Sequence, residues 1–438
     1  MSEREKKSSI KQFFSYFFTP KKTNKIAPNN SHKSSNAETQ LMQSTNRQMM
    51  LKPLPPKYDL NSRIVRYNLL QNTLLKLNNI LNTNTCLDKK LNSYDNKSYT
   101  YKIKDIITLS NKIGSQSEYG TIYKTVIHDN PINIATKVMS ASSGNKLETK
   151  LMKAITDQII LTKKSKHFII MYCYSLCKAI IKSEYALANF NELALDDINT
   201  LIIKEQIENR DELYNILIQI FLSIGTFHNF TGYIHTDCPT KNFLYIKNTE
   251  NKYNGYYHYI FNDRNYYLKS CKYDAMIYDF GLSKNIEMDD YELRDYILDI
   301  IILTNRNNNG PEYSNSKIIT FNEHINDKIE DYRKQIVIND YLKILYDIQN
   351  NISTTQKDII ALFINIIGKL NKIKISYNTN NHDLLKIVFI EVLQICLEYF
   401  PQLFFTDIEK LPSGSIILNN GSPFELYSRS KIILDKRL

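Results

Sequence analysis

An aspartate stands five residues before an asparagine in the run Tyr233-Ile234-His235-Thr236-Asp237-Cys238-Pro239-Thr240-Lys241-Asn242-Phe243-Leu244. On one tight loop, Asp237 can accept the proton of an attacking hydroxyl while Asn242 holds a magnesium ion. A second run, Met276-Ile277-Tyr278-Asp279-Phe280-Gly281-Leu282-Ser283, puts Asp279 just past a short apolar strand. Its carboxylate suits a magnesium ion that bridges nucleotide phosphates. A lone Asp-Phe-Gly arises by chance. Downstream of His-x-Asp-x-x-x-x-Asn it becomes a strong sign of phosphoryl transfer from a nucleotide to a hydroxyl.

Those loops need a frame. The pattern Leu213–His228 has apolar residues at helical spacing and leads into the Asp237 loop, and the apolar run from Phe243 follows it. Upstream, Tyr101–Leu109, Thr121–His128 and Ile132–Met139 read as short strands separated by turn residues. A helical segment follows near Lys146–Leu161, then strand-like runs at Phe168–Cys177 and Tyr185–Leu193. Helical periodicity returns at Tyr291–Leu303, Tyr341–Ile348, Ile359–Leu370 and Leu384–Tyr399. A β-rich part followed by a larger α-rich part defines an α+β class. Before both, Ile64, Val65, Leu69, Leu70, Leu74, Leu77, Ile80 and Leu81 predict an amphipathic helix over about 61–82.

With these motifs in this order, the chain resembles the protein kinase family from about Tyr101 to Leu303, and beyond that only in helical character. The resemblance implies a small β-rich N-terminal lobe and a larger helical C-terminal lobe, with ATP and Mg2+ between them. It implies a Gly-rich loop, found in altered form as Ile113-Gly114-Ser115-Gln116-Ser117-Glu118-Tyr119-Gly120-Thr121-Ile122-Tyr123. The middle glycine is missing there and one residue is added. Ile134-Ala135-Thr136-Lys137-Val138 matches the strand-lysine motif, so Lys137 is the expected phosphate ligand and Glu148 its expected partner, with Asp157 a poorer choice. Without the other motifs, Lys137 would read as a strand lysine facing solvent. Glu192-Leu193-Ala194 looks like the connection between lobes. The nucleotide is expected against Ile113, Gly114, Gly120, Ile122, Ala135, Lys137, Glu192, Ala194 and Leu244.

Several positions depart from the family. Thr236 replaces the arginine that commonly pairs with a phosphorylated loop, which implies activity independent of such phosphorylation. Pro239 stands where serine/threonine kinases place lysine, and Lys241, four residues after Asp237, is assigned the transferred phosphate or solvent. Tyr256-Tyr257-His258-Tyr259-Ile260-Phe261 and Tyr266-Tyr267-Leu268 flank Asn262-Asp263-Arg264-Asn265 and read as a hairpin inserted at about 246–272. Such an insertion, with the AT-rich residue bias, resembles protein kinases of large DNA viruses. His258 is expected at the surface. Asp295 or Asp299 is expected to anchor the catalytic loop from below, and Gly310-Pro311-Glu312 is a candidate end of the activation segment.

Composition bounds the rest. The 438 residues carry a net charge of +11, spread along the chain rather than clustered. This reads chiefly as a Lys-rich solvated surface, and no specific nucleic-acid partner is expected. The six cysteines form no Cys-x-x-Cys pair and suit a reducing cytosol, with Cys173 and Cys177 expected as buried thiols. Residues 1–58 read as a disordered basic arm and linker, 59–98 as a helical extension, 99–194 as the first lobe and 195–430 as the second. The aromatic cluster Phe13-Phe14-Ser15-Tyr16-Phe17-Phe18, flanked by lysines, marks the arm as a candidate docking element for an anionic membrane or acidic partner. No secretory signal or spanning helix is expected. The expected protein is a monomeric, cytoplasmic serine/threonine protein kinase acting on protein, in host cytoplasm or virion if viral. A pseudokinase scaffold and a kinase-like small-molecule phosphotransferase are the alternatives.

Overall fold

The computed structural model describes residues 59–81, 88–91, 99–103, 106–117, 120–128, 130–178, 185–204, 207, 209–297, 329–352, 356–375, 379–419 and 422–436. The expectations for the N-terminal arm, Asp299 and Gly310-Pro311-Glu312 lie outside the described residues.

Helix α1, Leu60–Leu81, opens the described part. Leu60, Arg63, Tyr67, Leu70 and Leu74 are buried, a helical stripe with a charged residue in its middle. Val65 and Leu69, expected on the apolar face, are 56% and 58% exposed. The helix is turned to place Arg63 inward, where it pairs with Glu192.

Seven antiparallel strands follow: β1 Asp88–Leu91, β2 Tyr99–Ile103, β3 Ile107–Ser117, β4 Gly120–Ile127, β5 Asn133–Ser140, β6 Met171–Lys178 and β7 Tyr185–Glu192. They lie in the order β1-β2-β3-β4-β5-β7-β6. The expected single run Tyr101–Leu109 is two strands, because the chain reverses between Ile103 and Ile107. A register shift between Ile113 and Ser117 absorbs the extra residue of the Gly-rich loop. Between β5 and β6 lies helix α2, Ser143–Ile155. Its N-cap Ser142 accepts from the Asn145 backbone N–H, which starts the helix and sets its rotation. A five-residue π-turn, Thr156–Ile160, continues it.

The chain then becomes mainly helical. Strand β8, Asp196–Asp197, leads into α3, Ile198–Ile203, capped by the Asp197 side chain. Helix α4, Arg210–Thr231, is almost wholly buried from Ile216 onward. Asn209 caps its start and acids occupy its first turn. Its end is closed by left-handed Gly232, whose N–H returns to the His228 carbonyl. A side chain on Gly225 would come within 2.1 Å of the Phe389 ring, so glycine permits the close approach of α4 and the helix Asn381–Tyr399.

Strands β9 Tyr233–Ile234 and β10 Phe243–Lys247 bracket the Asp237 loop. The hairpin is present as β11 Gly255–Phe261 and β12 Arg264–Lys269. Asn262 and Asp263 both have positive φ, at 50° and 61°, which a two-residue hairpin turn requires. His258 is partly buried, stacked on Tyr267 and hydrogen-bonded to Asn265 within the hairpin. Strand β13, Tyr273–Ile277, pairs with β10, and β14, Lys284–Asn285, pairs with β9. After a helix over 290–297 come α5 Ile329–Asn351, α6 Lys357–Leu370 and α7 Asn381–Tyr399. Short strands β15 Phe404–Phe405, β16 Ile416–Ile417 and β17 Phe424–Glu425 close onto the hairpin. A seven-stranded antiparallel sheet first and helices afterwards give the mixed α+β composition the sequence implies. No helix among the described residues is long and apolar enough to cross a membrane.

Candidate active site

The motif residues converge on one cleft. A cavity of about 430 Å³ is lined by Ile113, Gly114, Ile122, Ala135, Glu192, Leu193, Ala194, Asp237, Lys241, Asn242, Leu244, Tyr278 and Asp279, among others. A hollow of about 570 Å³, bounded by Lys163, Asn262, Glu425 and Arg429, contains none of the motif residues. We assign the chemistry to the first, because reactive groups rather than room define a site.

Lys137 reaches the cleft from β5, where it opposes Ile122 of β4 and Asn189 of β7. Lys137 is 1% exposed, and its ammonium lies 2.8 and 2.9 Å from the two Glu148 oxygens and 2.9 Å from Asp279 Oδ1. Burial opposes its charge, but Glu148, Tyr278 and Asp279 outweigh burial and raise its pKa. Burial pushes the Glu148 carboxyl up to about 7 against the pull of Lys137. The two shifts bear oppositely on the pair's charge state. With two carboxylates on one ammonium, Lys137 is the member that stays charged. Asp157, the weaker candidate partner, pairs with Lys153 on its own helical segment. Gly120 sits beside this group: a Cβ there would lie 3.5 Å from Lys137 Cε and 3.0 Å from the Val138 carbonyl oxygen. Tyr119 lies outside the described residues.

Pairing of β10 with β13 brings the Asp237 and Asp279 loops together. Phe243 opposes Ile277, and the Tyr278 N–H donates to the Asn242 carbonyl at 3.0 Å. Asn242 and Asp279 are therefore neighbours across one ladder. Asn242 Nδ2 donates to the Asp237 carbonyl and to Asp237 Oδ2, both at 2.9 Å, which leaves its amide oxygen as a cation ligand. Asp279 has φ 63°. That unusual backbone turns the carboxylate toward Lys137 while Phe280 packs inward on Phe227 and His235, with ring centroids 4.8 and 5.3 Å away. His235 Nε2–H donates to the Tyr278 carbonyl at 2.9 Å and ties the loops again.

Asp237 has both oxygens held. Lys343 on α5 donates to Oδ1 and Asn242 to Oδ2. Burial would raise its pKa, but Lys343, His235 and Asn242 hold it below the ordinary aspartate value. The Asp237 loop is anchored by Asp340, not by Asp295. Asp340 Oδ2 accepts the His235 N–H at 2.7 Å and Oδ1 the Thr236 N–H at 2.8 Å, while His228 Nε2 lies 2.8 Å from Oδ2. Asp295 is an exposed residue of the 290–297 helix. Thr236, at φ 65°, donates its hydroxyl to the Leu282 carbonyl at 2.7 Å and so ties the segment after Gly281 to the loop.

Two other assignments shift. Glu192 contributes backbone to the cleft wall, but its carboxylate is turned away and clamped by Arg63 at 2.7 Å. Lys241 is exposed at the cleft edge, and its side chain lies outside the Asp237 hydrogen-bond network. Sequence reasoning missed Arg63, Asp340, Lys343 and Asp347. The last three follow an i, i+3, i+7 spacing that a search for one helix face reading a loop would have found.

Oxygen donors from one carboxylate and one amide, Asp279 and Asn242, fit a magnesium ion completed by phosphate oxygens. Among the described residues, no cluster of three or more His, Cys, Asp or Glu side chains forms a closed metal site. No family model and no curated protein matches the chain. A crystal structure of a kinase domain is similar at 14% identity and a TM-score of 0.30, over 42% of this chain and 53% of the other. The chain thus spans about half the length of that kinase domain. A likeness at this level carries no argument about chemistry, which rests on the residues of the cleft.

Proposed function

We propose that the chain is an ATP- and magnesium-dependent protein kinase that phosphorylates serine or threonine hydroxyls. One observation carries the reading. Lys137, Glu148, Asp237, Asn242 and Asp279, drawn from four separate segments, come together: Asp237, Asn242 and Asp279 line one cleft, and the Lys137–Glu148 pair joins it through Asp279. Five residues of the types phosphoryl transfer needs seldom meet in a pocket by packing alone.

ATP would lie with its base between Ile113, Ile122, Ala135 and Leu244, against the Glu192–Ala194 backbone, and its phosphates toward Lys137. Asn242 and Asp279 would hold magnesium, which neutralises charge on the phosphates when bound. Asp237 accepts the proton of the attacking hydroxyl. The hydroxyl oxygen bonds to the γ-phosphorus while the bond to the β,γ-bridging oxygen breaks, and ADP leaves with that electron pair. Positioning and charge neutralisation supply most of the barrier lowering. Preference for serine and threonine rests on the kinase family's commonest acceptors, not on a residue of this cleft.

The test offers γ-labelled ATP and magnesium with a protein mixture and a small-metabolite panel in parallel. Label on protein serine and threonine is expected. Label on metabolites alone moves the chain to small-molecule phosphotransfer, and nucleotide binding with no transfer makes it a pseudokinase.

A further inference from the structure

One face of α5 reads the whole catalytic loop. Asp340 accepts the His235 and Thr236 N–H groups, Lys343 pairs with Asp237, and Asp347 accepts the Thr240 N–H at 2.7 Å and its hydroxyl. These side chains stand at i, i+3 and i+7, so they lie in one row and meet residues 235–240 in order. The two acids hold backbone at each end of the loop. Of the three, Lys343 is the one that meets Asp237, the proton acceptor.

The loop supplies no ammonium of its own at that place. Pro239 has no donor, Thr240 is tied to Asp347, and Lys241 is exposed at the cleft edge. Stability does not account for Lys343. Its side chain is 37% exposed and that of Asp237 32%, and ion pairs so wetted contribute little. Lasting pairing would also weaken Asp237 as a base. An ammonium has three donors, and one of them meets Asp237 Oδ1. The transferred phosphoryl group must pass beside Asp237 if that carboxylate takes the acceptor's proton, so it passes within reach of Lys343.

On the kinase reading above, we propose that Lys343 is a catalytic residue: its ammonium donates hydrogen bonds to the non-bridging oxygens of the phosphoryl group as it transfers, a role supplied from α5 rather than from the catalytic loop. No proton moves from Lys343. It remains charged and stabilises negative charge at the reacting phosphorus.

The experiment measures kcat and KM for ATP and acceptor protein in the full chain and in Lys343→Met, Lys343→Arg, Lys241→Met and Asp237→Asn. Lys343→Met is expected to lower kcat about 100-fold, the scale for losing one transition-state donor, with KM for ATP within about threefold. Lys343→Arg keeps the charge and is expected to recover at least tenfold of that loss. A role confined to holding the loop would instead lower the melting temperature of Lys343→Met. The proposal is overturned if Lys343→Met keeps kcat within threefold of the parent. It is equally overturned if Lys241→Met loses more than Lys343→Met, or if Lys343→Arg is as impaired as Lys343→Met. Should Lys343→Met not fold, Lys343→Arg and Lys343→Gln carry the comparison, with Arg expected at least tenfold faster. Failure of the kinase reading is separate: Asp237→Asn would then match the parent.

Discussion

Arg63 offers the sharpest test of how α1 bears on the cleft. Its guanidinium is 1% exposed. It donates to both Glu192 oxygens at 2.7–3.1 Å, to the Lys166 carbonyl at 2.8 Å and to the Phe168 carbonyl at 2.6 Å. Burial disfavours its charge, but Glu192 outweighs burial and raises the pKa. Arg63→Met fills similar space and removes every donor. Glu192, with a side chain 2% exposed, is left as a buried carboxylate near one weak donor, the Ile170 N–H at 3.4 Å. Breaking a buried pair by removing one member costs about 3–5 kcal/mol, a large share of the ~5–15 kcal/mol by which most domains are stable. At ~2.1 cal/mol/K per residue, the unit Lys57–Leu438 has an unfolding entropy near ~0.8 kcal/mol/K, so the midpoint should fall by roughly 5 °C. Arg63→Met with Glu192→Gln removes both charges and should recover most of that loss. Because the Glu192 backbone lines the cleft, the single variant should raise KM for ATP more than it lowers kcat. Thermal melts and steady-state kinetics of the parent, both singles and the double measure this. An Arg63→Met melt equal to the parent's, or a double as unstable as the single, refutes the reasoning.

The remaining predictions concern loop anchoring, pH and loop control. Asp340→Asn puts an amide group against N–H donors at one of its oxygens and lets the Asp237 loop shift, and misplacement by about 1 Å costs on the order of 100-fold. Single-turnover rates with saturating ATP measure it, and an unchanged rate refutes the anchor. His167 is buried, with Nδ1 2.9 Å from the Ala275 carbonyl and Nε2 2.8 Å from the Tyr259 hydroxyl. Burial and then Lys166 lower its pKa to about 3. The unfolded chain takes up a proton below about pH 6.5 while the folded one does not. Stability is therefore full above that pH and falls by about 1.4 kcal/mol per pH unit as pH drops toward 3. Urea melts from pH 7 to 5 should show this slope reduced by one proton in His167→Gln, and identical slopes refute it. Thr236 links the loop directly to the Leu282 carbonyl, so phosphatase treatment should leave turnover unchanged. A collapse of turnover would show that loop phosphate is needed.

Much of the cleft was legible because its residues carry chemistry in local runs. Asp237 and Asn242, and Asp279 with Phe280 and Gly281, sit in short segments where type and spacing can be read together. Lys137 and Glu148 were legible for a related reason: a strand followed by a capped helix leaves few partners in reach. The anchor was misassigned because the contact joins residues more than a hundred positions apart. Asp295 follows Gly281 closely in sequence, whereas Asp340 reaches the loop only through the packing of α5. Arg63 was overlooked because apolar periodicity treats a charge as solvent-facing, and here the buried charge sets the rotation of α1. Lys343 was hidden similarly, since the search for a phosphate-binding lysine stayed on the loop and settled on Lys241.

The most direct test of the central claim is γ-phosphate transfer by the parent chain and by Asp237→Asn, with ATP, magnesium and acceptor protein at equal nucleotide occupancy. Loss of a general base costs about 10²–10⁴-fold. The account predicts transfer by the parent, a fall of that size in the variant and unchanged nucleotide binding. Equal transfer by the two proteins would contradict it.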